Sequence, residues 1–278
     1  MKKDIGKYIF LCCLILTGVG TFLARSLLQK QERTIIQAKN ETGIPNKRTD
    51  LVSQPEIEHS GAAVEKEVEV EVEQEQVSEN KSFQKMPDQY LDGSLFIGDS
   101  RTSTLAVYSG WKTCSFWVKN GISIWEIMDA KIASTNEGEN LTVRQGLTSK
   151  QYTKIYIMLG INELGTGTPR SFYEQYEKVI LEMRKLQPGA KIFVQSILHV
   201  TDGKDQTGSY INNKEIDRRN SFLVGINRID GVYYLDLNTV FDDPKTNKLN
   251  PAFSTDGVHL KATQIDKWKS FLLNHGIE

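Results

Sequence analysis

Cysteine is nearly missing from this chain, with three residues in 278. Cys12 and Cys13 fall inside the first apolar run and read as membrane-facing, because no small residues lead up to either in the manner of a lipoprotein site. Cys114 stands alone further on and reads as a buried apolar filler. This distribution excludes a disulfide framework and a cysteine-based metal centre. An excess of one charge is missing too. The 34 Lys and Arg nearly balance the 35 Asp and Glu, for a net charge of -1. No broad basic field is left to hold a nucleic acid. Histidine is scarce, at four residues. His59, in a polar stretch, and His275, near the C-terminus, read as solvated, which leaves His199 and His259 as the histidines with a chemical role to consider.

What is present divides the chain. The composition, 39% hydrophobic and 25% charged, suits a globular domain plus something less globular. Met1, Lys2, Lys3 and Lys7 precede an uninterrupted apolar run over 8–24, at about 17 residues near the lower limit for a bilayer span. Arg25 can snorkel, which extends the span toward Leu28. Residues 1–30 are therefore expected to be a membrane anchor with its N-terminus inside. The alternative is a cleaved signal peptide, for which Phe22-Leu23-Ala24 is a poor small-x-small site. Either way the bulk of the chain is exported: anchored with its domain outside the cytoplasm, or secreted if the segment is cut. Residues 31–85 are polar and sparse in aromatics. Their centre alternates glutamate and valine from Glu67 to Glu73. As a strand it would carry one face of nearly pure glutamate, so it reads as a solvated stalk.

The folded domain is expected over 86–278. Apolar runs predict strands at 94–97, 113–118, 154–159, 191–197 and 232–235. Helical spacing predicts helices at 124–132, 171–186, 211–229 and 261–274, with a further helix opening at Ser100. The 171–186 helix is stopped by Pro188-Gly189. Strands alternating with helices imply a parallel sheet covered by helices.

Ser100 ends the first strand and opens a helix. A hydroxyl there projects from the carboxyl edge of the sheet, where open α/β folds bind ligands. The free amides of a helix start can also hold developing negative charge. Serine needs a base to become a nucleophile, and the base needs an acid to fix its tautomer. Asp256 lies three residues before His259 in a Gly-containing loop, so both side chains can share one turn. Three groups at strand ends can donate to an oxyanion: the amide of Ser100, the amide of Gly121, which no side chain blocks, and the side chain of Asn162. Asp99 reads as structural, bonding nearby backbone amides. Arg101 is either a surface arginine or an anchor for an anionic group on a substrate. Glu163 contacts substrate or packs, and His199 lines the pocket or is an ordinary loop histidine. Tyr108, Trp111, Trp117 and Trp125 are either core and rim aromatics or a platform for sugar rings.

The set Gly98-Asp99-Ser100, Gly121, Gly160-Ile161-Asn162 and Asp256-Gly257-Val258-His259 resembles the SGNH (GDSL-type) hydrolases, in their order and on the expected strand ends. The resemblance runs from about Leu91 to the C-terminus. It implies a flavodoxin-like, three-layer α/β/α sandwich around a five-stranded parallel sheet. It implies Ser100 as nucleophile, His259 as base and Asp256 as its orienter, with Ser100, Gly121 and Asn162 as the oxyanion hole. The family works without metal or organic cofactor, mostly as esterases, lipases and carbohydrate deacetylases. The family usually has aspartate after the asparagine, where this chain has Glu163. The α/β-hydrolase elbow G-x-S-x-G is not matched, because Thr102 stands where its second glycine would be. The expected function is an extracytoplasmic serine esterase that removes acyl groups, acetyl first, from an envelope polysaccharide. An acyltransferase on the same triad and a non-catalytic glycan-binding module are the alternatives. No long apolar insertion suggests a lipase lid.

Overall fold

Five short apolar runs make the centre of the domain: β1 (Leu95–Gly98), β2 (Ser115–Val118), β3 (Lys154–Met158), β4 (Lys191–Gln195) and β5 (Val232–Leu235). In this computed structural model they pair in parallel, in the order β2-β1-β3-β4-β5. Residues 82–134, 140–205 and 209–278 are described. The expected anchor, with Cys12 and Cys13, and residues 31–81 of the expected stalk, with His59, lie outside the described residues. Among the described residues no helix is long and apolar enough to cross a membrane.

The strands read as nearly continuous apolar runs because both faces of the sheet are covered. Leu95, Ile97, Ile155, Ile157, Ile192 and Val194 point to one side. That side is closed by α2 (Val143–Ser149), α3 (Pro169–Leu186) and α4 (Asn213–Leu223), through Leu147, Phe172, Tyr176, Ile180 and Ile216. On the other side one aromatic from each strand forms a ladder, Phe116, Phe96, Tyr156, Phe193, Tyr233. Successive rings stack at 5.2, 4.8, 4.7 and 5.3 Å between centroids. Each pair is a direct cross-strand neighbour, the unit that stabilises a sheet. Helices α1 (Ser100–Tyr108) and α5 (Ile265–Asn274) close this side through Leu105, Trp268, Phe271 and Leu272.

The expected parallel sheet and its helical layers are therefore present, with element ends shifted by a few residues. Helix α3 starts earlier than expected, at Pro169, because Thr168 and Ser171 form a reciprocal cap in front of it. The expected helix over 124–132 is absent: the stretch is a short 3₁₀ turn, Ile127–Asp129, followed by a strand from Lys131. Its apolar spacing is real, since Ile124, Ile127 and Met128 are all buried. Side chains instead claim its backbone. The amide of Gln175 donates to Ile124 O, and the Ile124 N–H is taken by Glu163. The strand Lys131–Ser134 then pairs with Asn140–Thr142 in a hairpin that periodicity did not signal. His275 is half-buried rather than solvated, with its ring stacked on Phe271 at 4.0 Å.

The order of the strands decides where a ligand can sit. Chain connections run in opposite directions from β1, to β2 on one side and to β3 on the other, which opens a crevice at their carboxyl ends. Ser100 follows β1, Gly121 follows β2 and Asn162 follows β3.

Candidate active site

Ser100 is the first residue of α1. Asp99 caps that helix, its Oδ1 accepting the Arg101 N–H at 2.9 Å. Gly98 is needed just before, because a Cβ there would come within 2.1 Å of Thr102 Oγ1 and 2.6 Å of Met158 O. The strand-to-helix turn can therefore be tight only with glycine at this point.

The partner of Ser100 arrives from far along the chain. His259 Nε2 lies 2.8 Å from Ser100 Oγ, and His259 Nδ1 lies 2.6 Å from Asp256 Oδ2. Asp256 Oδ1 is committed elsewhere, accepting the Val258 and His259 N–H groups at 2.8 Å each. Partial burial works against ionisation of Asp256, but the ring and amide of His259 and the amide of Val258 outweigh it and hold the carboxyl well below its usual range. The loop is closed by Ser254, which pairs with Leu260 and whose Oγ sits 2.7 Å from His259 O and accepts the Gly257 N–H. The loop docks on the segment after β4, where Thr201 N donates to Gly257 O.

The two candidate donors from outside α1 follow β2 and β3, the strands that flank β1 in the sheet. Gly121 sits at φ +77, a left-handed conformation that glycine adopts freely, with open space where a Cβ would stand. Ser103, one turn into α1, bonds Asn120 Oδ1 at 3.1 Å and ties this turn to the helix of the nucleophile. Asn162 donates one side-chain N–H to Ile122 O at 2.9 Å. Among the described residues its second amide hydrogen has no acceptor, so it is available to a ligand. An imidazole that can take a hydroxyl proton, a carboxylate behind it and donors opposite are the requirements for acyl transfer through serine.

The sequence of 96–263 matches the model of the GDSL-like Lipase/Acylhydrolase family. This chain belongs to that family. The GDSL-like domain is accordingly an ester-hydrolysing serine hydrolase. No curated protein matches the chain. Among solved structures it is similar to a protein of Streptococcus pneumonia that carries a provisional platelet activating factor label (TM-score 0.50, 21% identity, 65% of this chain and 80% of that one). It is also similar to a GDSL-like lipase from Bacteroides thetaiotaomicron (0.48, 14%, 68% and 89%) and to a mutant of a Geobacillus acetyl-xylooligosaccharide esterase (0.48, 14%, 66% and 94%). These likenesses concern the fold.

Three other residues singled out in the sequence are placed less openly in this GDSL-like domain. Arg101 is neither a surface arginine nor a solvent-facing anchor: it is 2% exposed, and its Nη1 donates to Leu198 O at 2.6 Å. Burial lowers its pKa to about 10, against the pull of Asp99 and Asp256. Glu163 is buried and accepts the Ile124 N–H, so it packs. His199 is held between two carboxylates, Asp242 at 2.6 Å and Asp217 at 2.8 Å. It lines a cavity of about 590 Å³ with Asp217, Asp236 and Tyr234, a cavity that Ser100 and His259 do not line. Of the aromatics, Trp117 is core and Trp111 packs on Phe96 and Phe116, whereas Trp125 is 43% exposed.

Sequence reasoning missed the supports. The segment after β4 is irregular, yet side-chain amides satisfy its backbone as a neighbouring strand would. Asn220 bonds both N and O of Ile197, and Asn213 bonds both N and O of Val200. Asn238 accepts from His199 N. Arg219, buried in α4, donates to Glu163 O at 3.1 Å under the turn of Asn162. Asparagines on a helix face give no periodic signal, since asparagine there is ordinarily a solvated residue.

Proposed function

We propose that this GDSL-like domain is an extracytoplasmic esterase that removes small acyl groups, acetyl first, from the hydroxyls of an envelope polysaccharide. Ser100 is the nucleophile, His259 the general base and then acid, and Asp256 the group that orients and steadies the imidazole. His259 takes the Ser100 proton as Oγ attacks the ester carbonyl. The amides of Ser100 and Gly121 and the free N–H of Asn162 receive the oxyanion. The proton passes to the leaving sugar oxygen, and water, activated by the same imidazole, releases the acid. The observation that carries this reading is the continuous relay from Asp256 Oδ2 to His259 to Ser100 Oγ, at 2.6 and 2.8 Å.

The openness of the site supports a small acyl group. The His259 side chain is 39% exposed. A long acyl chain needs an apolar tunnel to make its burial favourable, whereas an acetyl group on a bulky alcohol does not. Two exposed rings support a sugar as that alcohol. Trp125 packs over Gly167 and Tyr210 over Gly165, both in the loop that leads away from Asn162. Rings of this kind present flat apolar faces with a polar edge, suited to sugar surfaces. The apolar run over 8–24 supports the location. Gln84 pairs with Gly276, and Phe83 lies on the rings of Tyr233 and His275, at the end of the sheet opposite Ser100. The first described residues thus join the domain away from the edge that carries Ser100.

The test is acetate release from an acetylated polysaccharide by the full chain, with p-nitrophenyl acetate as a simple substrate and a fluorophosphonate as a label. Turnover and labelling are expected for the native protein and lost in Ser100→Ala. Hydrolysis that persists in Ser100→Ala overturns the proposal. Transfer of acetyl to added glycan in preference to water would make the enzyme a transferase.

A further inference from the structure

We infer that Glu163 is a positioning residue for the oxyanion hole: its buried carboxylate fastens the segment that carries Gly121 to the turn that carries Asn162. The inference rests on the esterase reading of the site.

Asn162 and Glu163 are neighbours on one 3₁₀ turn, Ile161–Glu163, and both reach across to the same segment. Asn162 donates to Ile122 O, and Glu163 Oε1 accepts from Ile124 N. The two bonds have opposite polarity and fall two residues apart on a segment with no regular structure. Together they fix the distance between the Gly121 amide and the Asn162 side chain, the two donors contributed from outside α1. Gln175 on α3 adds a weaker bond to Ile124 O at 3.4 Å. The turn itself is fixed from beneath by Arg219, through Glu163 O and Thr166 O, with Glu215 holding the guanidinium at 2.6 Å. A donor displaced by a fraction of an ångström serves the ground state as well as before and the oxyanion less well.

The remaining oxygen is unusual. Glu163 Oε2 is buried, and among the described residues it has no hydrogen-bond partner. Asp99 faces it from the start of α1, Tyr176 from α3 and Arg219 from α4. Burial first, then the charge of Asp99, push the Glu163 carboxyl up to about 7, against the Ile124 N–H and Arg219. Hydrogen bonds to an ionised acceptor are roughly twice as strong as neutral ones. The fastening therefore tightens as pH rises through 7. Aspartate at this position would be one methylene shorter and would fall short of Ile124 N.

The experiment is the pH dependence of p-nitrophenyl acetate hydrolysis by the full chain and its Glu163→Ala, Glu163→Gln and Glu163→Asp variants. Glu163→Ala should lose about 10- to 100-fold in kcat with KM within about twofold, the pattern of an interaction made in the transition state. Glu163→Gln keeps an acceptor of the same reach and should recover at least tenfold over Glu163→Ala at pH 8; Glu163→Asp should not. The acid limb of the native kcat profile should contain an ionisation near 7 that Glu163→Gln lacks. An unchanged acid limb in Glu163→Gln, or a Glu163→Ala enzyme with native kcat, overturns the inference. Glu163→Gln is nearly isosteric and carries the test if Glu163→Ala does not fold. Native turnover that disappears in Ser100→Ala, with these results negative, refutes only the role of Glu163.

Discussion

Replacing Asp256 by asparagine tests the relay where its geometry is most constrained. The carboxylate uses both oxygens, Oδ2 for His259 Nδ1 and Oδ1 for the N–H groups of Val258 and His259. Asparagine has one oxygen. If that oxygen keeps the two backbone donors, the amide N–H₂ faces His259 Nδ1. The ring proton must then move to Nε2, where the base is required. In Ser-His-Asp enzymes this error lowers kcat by roughly 10⁴, about 5.5 kcal/mol. If the amide flips to restore the tautomer, two backbone donors lose their acceptor, at about 1–3 kcal/mol each. The side chain is 52% exposed, so water relieves part of that and the low end applies. The easier route governs, so the barrier rises by at least about 2 kcal/mol, or about 30-fold, and by at most about 10⁴-fold. Asp256 does not touch the acyl group, so KM should hold within about threefold. The assay is steady-state hydrolysis of p-nitrophenyl acetate at pH 8, with thermal unfolding as the control. A loss in kcat below tenfold, in a protein that melts as the native one does, would refute the assignment.

Two further outcomes follow from the surroundings of the site. Trp125→Ala and Tyr210→Ala should each raise KM for an acetylated oligosaccharide by about 5- to 20-fold, in line with roughly 1–2 kcal/mol for a lost ring contact. Neither should alter p-nitrophenyl acetate hydrolysis, and equal effects on both substrates would place the rings outside the sugar site. His199 ties α4 to the strand pair Asp242–Asp243 and Lys248–Leu249. Burial lowers its pKa, but the hydrogen bonds and charges of Asp242 and Asp217 outweigh burial and raise it overall. A raised folded pKa contributes stability that is complete below the unfolded value, about 6.5, and fades as pH rises through the folded one. His199→Ala should therefore lower the melting temperature more at pH 5.5 than at pH 8.5; a uniform decrease would show that the paired charges do not contribute.

The sheet was legible because its strands are buried on both faces. Apolar runs such as 154–159 and 191–197 admit few other readings when helical patterns separate them. The meeting of Ser100, His259 and Asp256 was legible as well, since a serine at a strand end and an Asp-x-x-His loop leave few structural explanations, and the three side chains lie within 2.8 and 2.6 Å of one another in series. What holds those residues was not. The stretch 124–132 has helical spacing because three of its side chains enter the core, and it is not a helix because Glu163 and Gln175 take its backbone groups. Arg101 and Glu163 are charged residues beside loops, for which exposure is the ordinary expectation. Their burial follows from tertiary partners, Leu198 O and Ile124 N, that lie 97 and 39 residues away.

Those two belong to a larger pattern. Among the described residues the charged side chains with 2% exposure or less are Asp99, Arg101, Glu163 and Arg219. All four lie beneath the loops at the carboxyl edge of the sheet, two acids and two bases. Atoms on every one of them are buried with no partner among the described residues: Asp99 Oδ2, Arg101 Nε and Nη2, Glu163 Oε2 and Arg219 Nε. Replacing buried charges by well-packed apolar residues often stabilises a protein by about 1–4 kcal/mol, so stability alone does not favour such a group. Each of these residues, however, also bonds backbone next to a functional position. Asp99 caps the helix of Ser100, Arg101 fixes the segment on which the His259 loop docks, and Glu163 and Arg219 fix the turn of Asn162. Charged bonds made in a dry layer are stiff, and stiffness there would keep the Ser100 hydroxyl, the His259 imidazole and the proposed oxyanion donors in register without reorganisation during the reaction. Local rules of burial are broken here, at the one edge of the sheet where a reactive serine has to be held.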